Sequence, residues 1–226
     1  MAGTQTTSGS LGAQFWFVAA SCPLVAIDIS VIDSLLPDII RQLGISVADA
    51  SLVDAITVTV AGALMVPAGK LGDLFGTKRV LLAGIVMAIT GSLLTGLANG
   101  FGLLMAGRIA QGAAFAMILT MGLATLNREY PQQTPIRRQA FALYVSVAIC
   151  SVGIAPAFGA LLADYASWRW AFLVVPPAAV VVAIGILRVV PAAPERATTQ
   201  RSFDAFGAVL LFAAVGLFFL SSALAA

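Results

Sequence analysis

The sequence predicts an all-α polytopic membrane protein, a bundle of six transmembrane helices followed by a seventh. Three observations lead there. Hydrophobic residues make up 60% of the chain, charged residues only 10%, and the mean hydropathy is +1.01. A water-soluble domain carries about 25% charged residues. The polar side chains here are too few to cover a surface in water, so lipid must be the solvent for much of it. The runs 109–127, 139–163, 170–187 and 205–226 hold no charge at all. No stretch alternates polar and apolar residues in the ~10-residue segments of a membrane barrel.

A hydrocarbon core of about 30 Å needs roughly 20 apolar residues per helix. The first span is expected over 13–37. Residues 1–12 are polar and lack Lys and Arg, so they read as a cytoplasmic tail, not as the basic start of a cleaved signal peptide. The second span, 52–71, is interrupted by Asp54 and Pro67. Gly72, Asp73 and Gly76 punctuate the turn into a third span over 79–98, and Asn99-Gly100 the turn into a fourth over 101–126. Arg128, Pro131, Pro135, Arg137 and Arg138 separate the fourth from a fifth over 138–163. A sixth follows over 169–190, completing a bundle over 13–190. A polar linker, 191–203, leads to the seventh helix within 204–226. The apolar ending SSALAA suggests a truncated chain or a fragment.

Orientation follows from Lys and Arg placement. The connections after spans two, four and six hold nine: Lys70, Lys78, Arg79, Arg128, Arg137, Arg138, Arg188, Arg196 and Arg201. Those after spans one, three and five hold two, Arg41 and Arg169. The N-terminus is therefore expected in the cytoplasm. Trp168 and Trp170 suit the outer interface and Trp16 the inner one.

Composition also excludes. The net charge of +2, without a Lys/Arg run, offers no nucleic-acid face. The absence of His removes His-based triads, HExxH zinc sites and haem His ligation, and no GxSxG element occurs, so an enzyme is not expected. Cys22 and Cys150 lie in apolar runs and read as small buried residues, with no disulfide or metal site implied.

Ionisable residues inside a membrane are costly and point to function. Asp28 lies inside the first span and Arg108 inside the fourth. Asp28 is about 13 Å from the outer end at Pro37 and Arg108 about 10 Å from Phe101, so the two helices can bring them to one level. They form either a static ion pair that fixes packing or a proton or cation site whose charge changes during turnover. Asp33 is nearer the headgroups and is either simply solvated there or part of the same site. Asp54 is expected at the interface.

The segment 69–79 reads GKLGDLFGTKR. Gly69 and Gly72 allow close helix approach, Gly76 permits a positive φ, Asp73 can cap a helix or pair with a basic neighbour, and Lys78 and Arg79 hold the loop in the cytoplasm. The string resembles the loop motif G-x-L-a-D-r-x-G-r-[KR]-[KR] of the major facilitator superfamily. Gly69, Leu71, Asp73, Gly76, Lys78 and Arg79 match; Leu74 and Thr77 replace two usual basic positions.

Other segments resemble the superfamily's fourteen-helix drug:proton antiporter branch. IDISVIDSLLPDI is similar to l-D-x-T-x-x-N-x-A-L-P-x-I: Asp28, Leu36 and Pro37 match, Ser30 stands in for Thr, and Asp33 replaces Asn. RIAQGAAFA resembles R-x-x-Q-G-x-x-x-A, implicating Arg108 and Gln111, with interhelical hydrogen bonding the alternative role of Gln111. SVGIAPAFGA is similar to the antiporter motif G-x-x-x-G-P-x-x-G-G but keeps only Pro156 and Gly159; Ser151, Ala155 and Ala160 still allow tight packing, and Pro156 a kink. SWRWAF around Arg169 and the pair Asp204 and Gly207 also match the branch.

The resemblance implies the N-terminal half of a secondary transporter in a bacterial inner membrane, exporting amphipathic, cationic compounds against proton entry. Asp28, Asp33, Arg108 and Gln111 would serve proton and substrate binding. Gly69, Asp73, Gly76, Lys78 and Arg79 would form the gating loop, and Pro156 and Gly159 a packing seam and kink. No cofactor is implied, since the proton gradient supplies the energy. The partners would be a small-molecule substrate, the bilayer and the missing C-terminal half. A metabolite transporter on the same scaffold is the alternative within transport. A sensor or assembly protein is the alternative outside it.

Overall fold

The computed structural model describes residues 11–130 and 134–191. Most of the expected N-terminal tail, nearly all of the linker and the whole seventh helix lie outside the described residues. The chain runs α1 (Ala13–Ser30), α2 (Ile32–Leu43), α3 (Val47–Phe75), α4 (Thr77–Gly96), α5 (Phe101–Glu129), α6 (Pro135–Tyr165), α7 (Trp168–Leu173) and α8 (Val175–Val189). Six helices are long and apolar enough to cross a membrane, α7 and α8 together making the sixth over Trp168–Val189. Among the described residues there is no strand. This is an all-α polytopic membrane fold.

The elements differ from the hydropathy reading in instructive ways. The first span is not one helix: α1 ends at Ser30 and α2 restarts at Ile32. α2 then continues past Pro37 to Leu43 and stops at Gly44, whose φ of 64° favours glycine. α3 begins well before the apolar run because Ser46 and Asp49 form a capping box, with Ser46 Oγ accepting from the Asp49 N–H at 3.0 Å. At its other end α3 runs through most of the expected loop to Phe75. The whole connection to α4 is Gly76, held at φ 88° and ψ 140°, a conformation open almost only to glycine. The sixth span is interrupted at Val174, next to Pro176 and Pro177, which carry no N–H for the helical ladder.

Small residues set the helix spacing. A Cβ on Gly91 would come within 2.8 Å of Gln111 Cγ and 2.9 Å of the Gly107 carbonyl, so α4 and α5 touch almost backbone to backbone. A Cβ on Gly112 would lie 2.5 Å from the Thr57 carbonyl, placing α3 equally close to α5. Two apolar clusters result. One gathers Phe15, Cys22, Ile85, Ile118, Tyr144 and Ile186; the other gathers Ile32, Leu35, Ile39, Leu104, Trp168 and Phe172. On α1, α4 and α5 a band of polar residues separates them. α6 is the least enclosed of the spanning helices. Its Cys150 is exposed, unlike buried Cys22, so the expectation of two buried cysteines holds only for the first.

The Lys/Arg-rich helix ends meet at one end of the bundle. Lys78 Nζ donates to the carbonyls of Leu187 at 2.9 Å and Val190 at 2.5 Å, capping α8. Gln14 donates to Glu129, and Arg137 to Asn127. At the opposite end Arg169 Nη1 donates to the carbonyls of Gly96 and Ala98 at 3.0 and 2.6 Å, closing the C-terminus of α4. Trp168 stands at the start of α7, the end of the sixth span expected to face outward, but its indole faces the protein. It is buried, stacks beneath the Arg169 guanidinium and donates from Nε1 to Gln42. Trp170 and Trp16 are the exposed indoles.

Candidate functional site

The polar band centres on the break in the first span. Asp28 and Arg108 are 1% and 0% exposed. They are brought together, as their depths suggested, yet they make no direct ion pair. The Val31 N–H still bonds the Ile27 carbonyl, and α2 restarts one residue later. The interruption therefore falls on the carbonyl of Asp28. Arg108 Nη1 donates to that carbonyl at 3.0 Å and to Gln111 Oε1 at 2.9 Å. A guanidinium at the C-terminal end of α1 also complements the negative end of the helix dipole. The Asp28 carboxylate turns instead to α4, where Ser92 Oγ donates to Oδ2 at 2.8 Å.

The cluster is only partly satisfied. Asp28 Oδ1, Arg108 Nε and Nη2, Gln111 Nε2 and Thr95 Oγ1 are buried without a hydrogen-bond partner. Buried polar atoms are nearly always bonded, and in hydrocarbon each orphan costs more than in water. These donors and acceptors, beside a helix already broken, are ones that a further polar partner would satisfy. Among the described residues no group of three metal-ligating side chains occurs.

The other carboxylates lie nearby. Asp33 is the second residue of α2 and is exposed, and a carboxylate at the start of a helix is favoured by its dipole. Asp54 was expected at the interface. Because α3 starts at Val47, it sits about two turns inside the helix and is half-buried. Arg108 is within electrostatic reach of Asp28, Asp54 and Asp33 together.

Gly159 on α6 packs against the same break. A Cβ there would collide with the Val31 side chain and come within 2.8 Å of Ser34 Oγ. Pro156 sits one turn earlier inside α6, and Ser30 reaches across to that turn. Around Gly76 the picture is mixed. Asp73 is exposed and does not cap α4, whose start has no side-chain cap. Gly72, not Gly69, is the point of close approach: a Cβ on Gly72 would meet Met121 Cε at 2.6 Å, while one on Gly69 would be in ordinary contact at 3.7 Å from Thr120.

The sequence pattern described as the Major Facilitator Superfamily matches residues 19–226. The chain belongs to this superfamily. Its relatives include a candidate multidrug resistance protein, MdtD, of Yersinia enterocolitica, 33% identical over 94% of this chain and 44% of that protein. The MdtD of Enterobacter sp. strain 638 is 31% identical over 88% of this chain and 41% of its own length. That of Escherichia coli O1:K1 is 31% identical over 93% and 43%. The chain thus spans less than half the length of these relatives.

Within this superfamily scaffold, sequence reasoning missed Ser92 and Thr95. Ser92 and Thr95 stand on one face of α4, with Gly91 and Gly107 letting α5 approach them closely. The one available signal was that small polar residues recur on a face otherwise built from Gly and Ala.

Proposed function

We propose that this chain is the N-terminal half of a proton-coupled exporter of amphipathic, cationic small molecules. The observation that carries the reading is Asp28. It is a fully buried carboxylate with one oxygen held by Ser92 and the other free, beside an arginine spent on backbone and amide acceptors. A carboxylate kept in such surroundings is costly to retain without use. Membership of a transporter superfamily, and relatives named as candidate multidrug resistance proteins, support export of drug-like compounds. Asp28 would take the proton; Asp33 and Asp54 would give the mouth of the site a negative potential that attracts cations. The energy source would be the proton gradient, with no cofactor.

Superfamily transporters place the substrate at the midplane between two six-helix halves. This chain supplies one half, so the second half would complete the cavity against the exposed face of α6. The bacterial relatives support an inner-membrane location, and the clustering of basic helix ends on one side supports a cytoplasmic N-terminus. The test is Asp28→Asn in the full coding sequence, reconstituted in vesicles with an imposed pH gradient. Loss of gradient-driven accumulation of a lipophilic cation, with the protein still inserted, is the expected result. Undiminished accumulation would end the coupling role of Asp28.

A further inference from the structure

We infer that Ser30 is a positioning residue that joins the break in the first span to the proline in α6. Pro156 has no N–H, so the carbonyl four residues earlier, that of Val152, has no helical donor. Ser30 Oγ donates to that carbonyl at 3.1 Å. Ser30 is the last residue of α1, immediately before the interruption at Val31. Gly159, on the next turn of α6, brings its backbone against Val31 and Ser34. Two defects in two helical ladders therefore face each other, and a hydroxyl on one satisfies the acceptor freed by the other.

The bond has a consequence for the charged cluster. Arg108 holds the same break from the α5 side, through the Asp28 carbonyl. The angle at which α2 leaves α1, and with it the position of Asp33, is set from two directions. One is the guanidinium beside the carboxylates; the other is the proline turn of α6. A rearrangement at the cluster must then be felt at Pro156, and the reverse. This holds whether or not Asp28 carries the transported proton.

The chemistry allows a closed test. Ser30→Ala leaves the Val152 carbonyl without a donor, Ser30→Thr keeps the hydroxyl, and Pro156→Ala supplies an N–H from within α6, making Ser30 redundant. Each is made in the full coding sequence carrying Asp33→Cys as a reporter, with Cys150 and any cysteine outside this chain changed to Ser; buried Cys22 stays. Labelling of the reporter by a membrane-impermeant maleimide is followed, alongside unfolding in SDS mixed micelles. Ser30→Ala should change the labelling rate by about 3- to 20-fold, the range that interhelical hydrogen bonds carry in membranes. Ser30→Thr should restore it. In the Pro156→Ala background, Ser30→Ala should change neither labelling nor unfolding. An effect of equal size with and without Pro156, or no effect in either, overturns the inference. If Ser30→Ala alone fails to fold, rescue by Pro156→Ala supports it and failure of rescue overturns it.

Discussion

Ser92 holds the Asp28 carboxylate by one oxygen only, with Oγ 2.8 Å from Oδ2 while Oδ1 has no partner. The donor comes from α4 and the acceptor from α1, so the bond is also a tie between helices. It fixes the carboxylate's orientation without filling its hydrogen-bonding capacity. A purely structural carboxylate would be expected to saturate its oxygens, because each unmet acceptor in hydrocarbon is costly.

Two variants separate the carboxylate's charge from its bond to Ser92. Asp28→Asn preserves an oxygen for Ser92 and removes a charge from a dry site. It also leaves the buried Arg108 guanidinium without its counter-charge, so the unfolding free energy in SDS mixed micelles should fall by about 3–5 kcal/mol. Gradient-driven efflux should be lost. Ser92→Ala removes a charge-assisted bond worth about 1.5–3 kcal/mol but keeps the carboxylate, so unfolding should become easier while some efflux remains. If efflux survives in Asp28→Asn despite the loss of stability, the carboxylate is a packing element.

Arg108 spends both hydrogens of one amino group, on the Asp28 carbonyl and on Gln111. Arg108→Gln deletes the buried cation and leaves the carboxylate uncompensated, which should cost about 3–5 kcal/mol. Combining it with Asp28→Asn removes the stranded charge, so the double variant should recover most of that loss. A double-mutant cycle on unfolding measures the coupling. Arg108→Lys keeps the charge but not the planar fork and should fall between the two.

The span count was legible because hydrocarbon thickness dictates the length of an apolar run, and the runs around Ile118, Cys150 and Val182 are unbroken. The break at Val31 was not legible. It coincides with tertiary bonds that hydropathy does not see, from Arg108 to the Asp28 carbonyl and from Ser30 to the Val152 carbonyl. The same holds for the length of α3, set by the capping box at Ser46 and the positive φ of Gly76. At the site, Asp28 and Arg108 could be found from charge and depth alone. Ser92 and Thr95 could not, since a hydroxyl in a membrane helix usually bonds its own backbone, as Thr90 does with the Val86 carbonyl at 2.8 Å. Asp54 lies about two turns into α3 because the capping box starts that helix before the apolar run.

At Gly91 α4 presses directly on the Gln111 side of the cluster. A Cβ there would lie 2.8 Å from Gln111 Cγ and 2.9 Å from both the Gln111 nitrogen and the Gly107 carbonyl, which are mostly backbone and cannot move aside. Gly91→Ala must separate α4 from α5, and overpacking of this kind costs about 1–3 kcal/mol. The shift also carries Ser92 away from Asp28. Efflux should therefore fall more than stability does. Gly100→Ala, whose added methyl meets nothing within 4 Å, is the control and should behave as wild type.

Asp54 and Asp33 are the remaining carboxylates in reach of Arg108, one half-buried on α3 and the other exposed at the start of α2. Neither is hydrogen-bonded into the Asp28 cluster, so their contribution is potential, not geometry. Neutralising one of them removes a unit charge from the approach to the site. At a separation of roughly 8–16 Å and an effective dielectric near 20, that weakens a cation's attraction by roughly 1–2 kcal/mol. Asp54→Asn should then raise the concentration of a monovalent lipophilic cation needed for half-maximal efflux by about 5- to 30-fold. The effect should be larger for a dication and absent for a neutral amphiphile. Competition assays at two ionic strengths decide the matter: a deficit that shrinks at high salt for the exposed Asp33→Asn and persists for Asp54→Asn follows from their burial. Equal losses for charged and neutral substrates would mean that these carboxylates shape the wall of the passage and not its field.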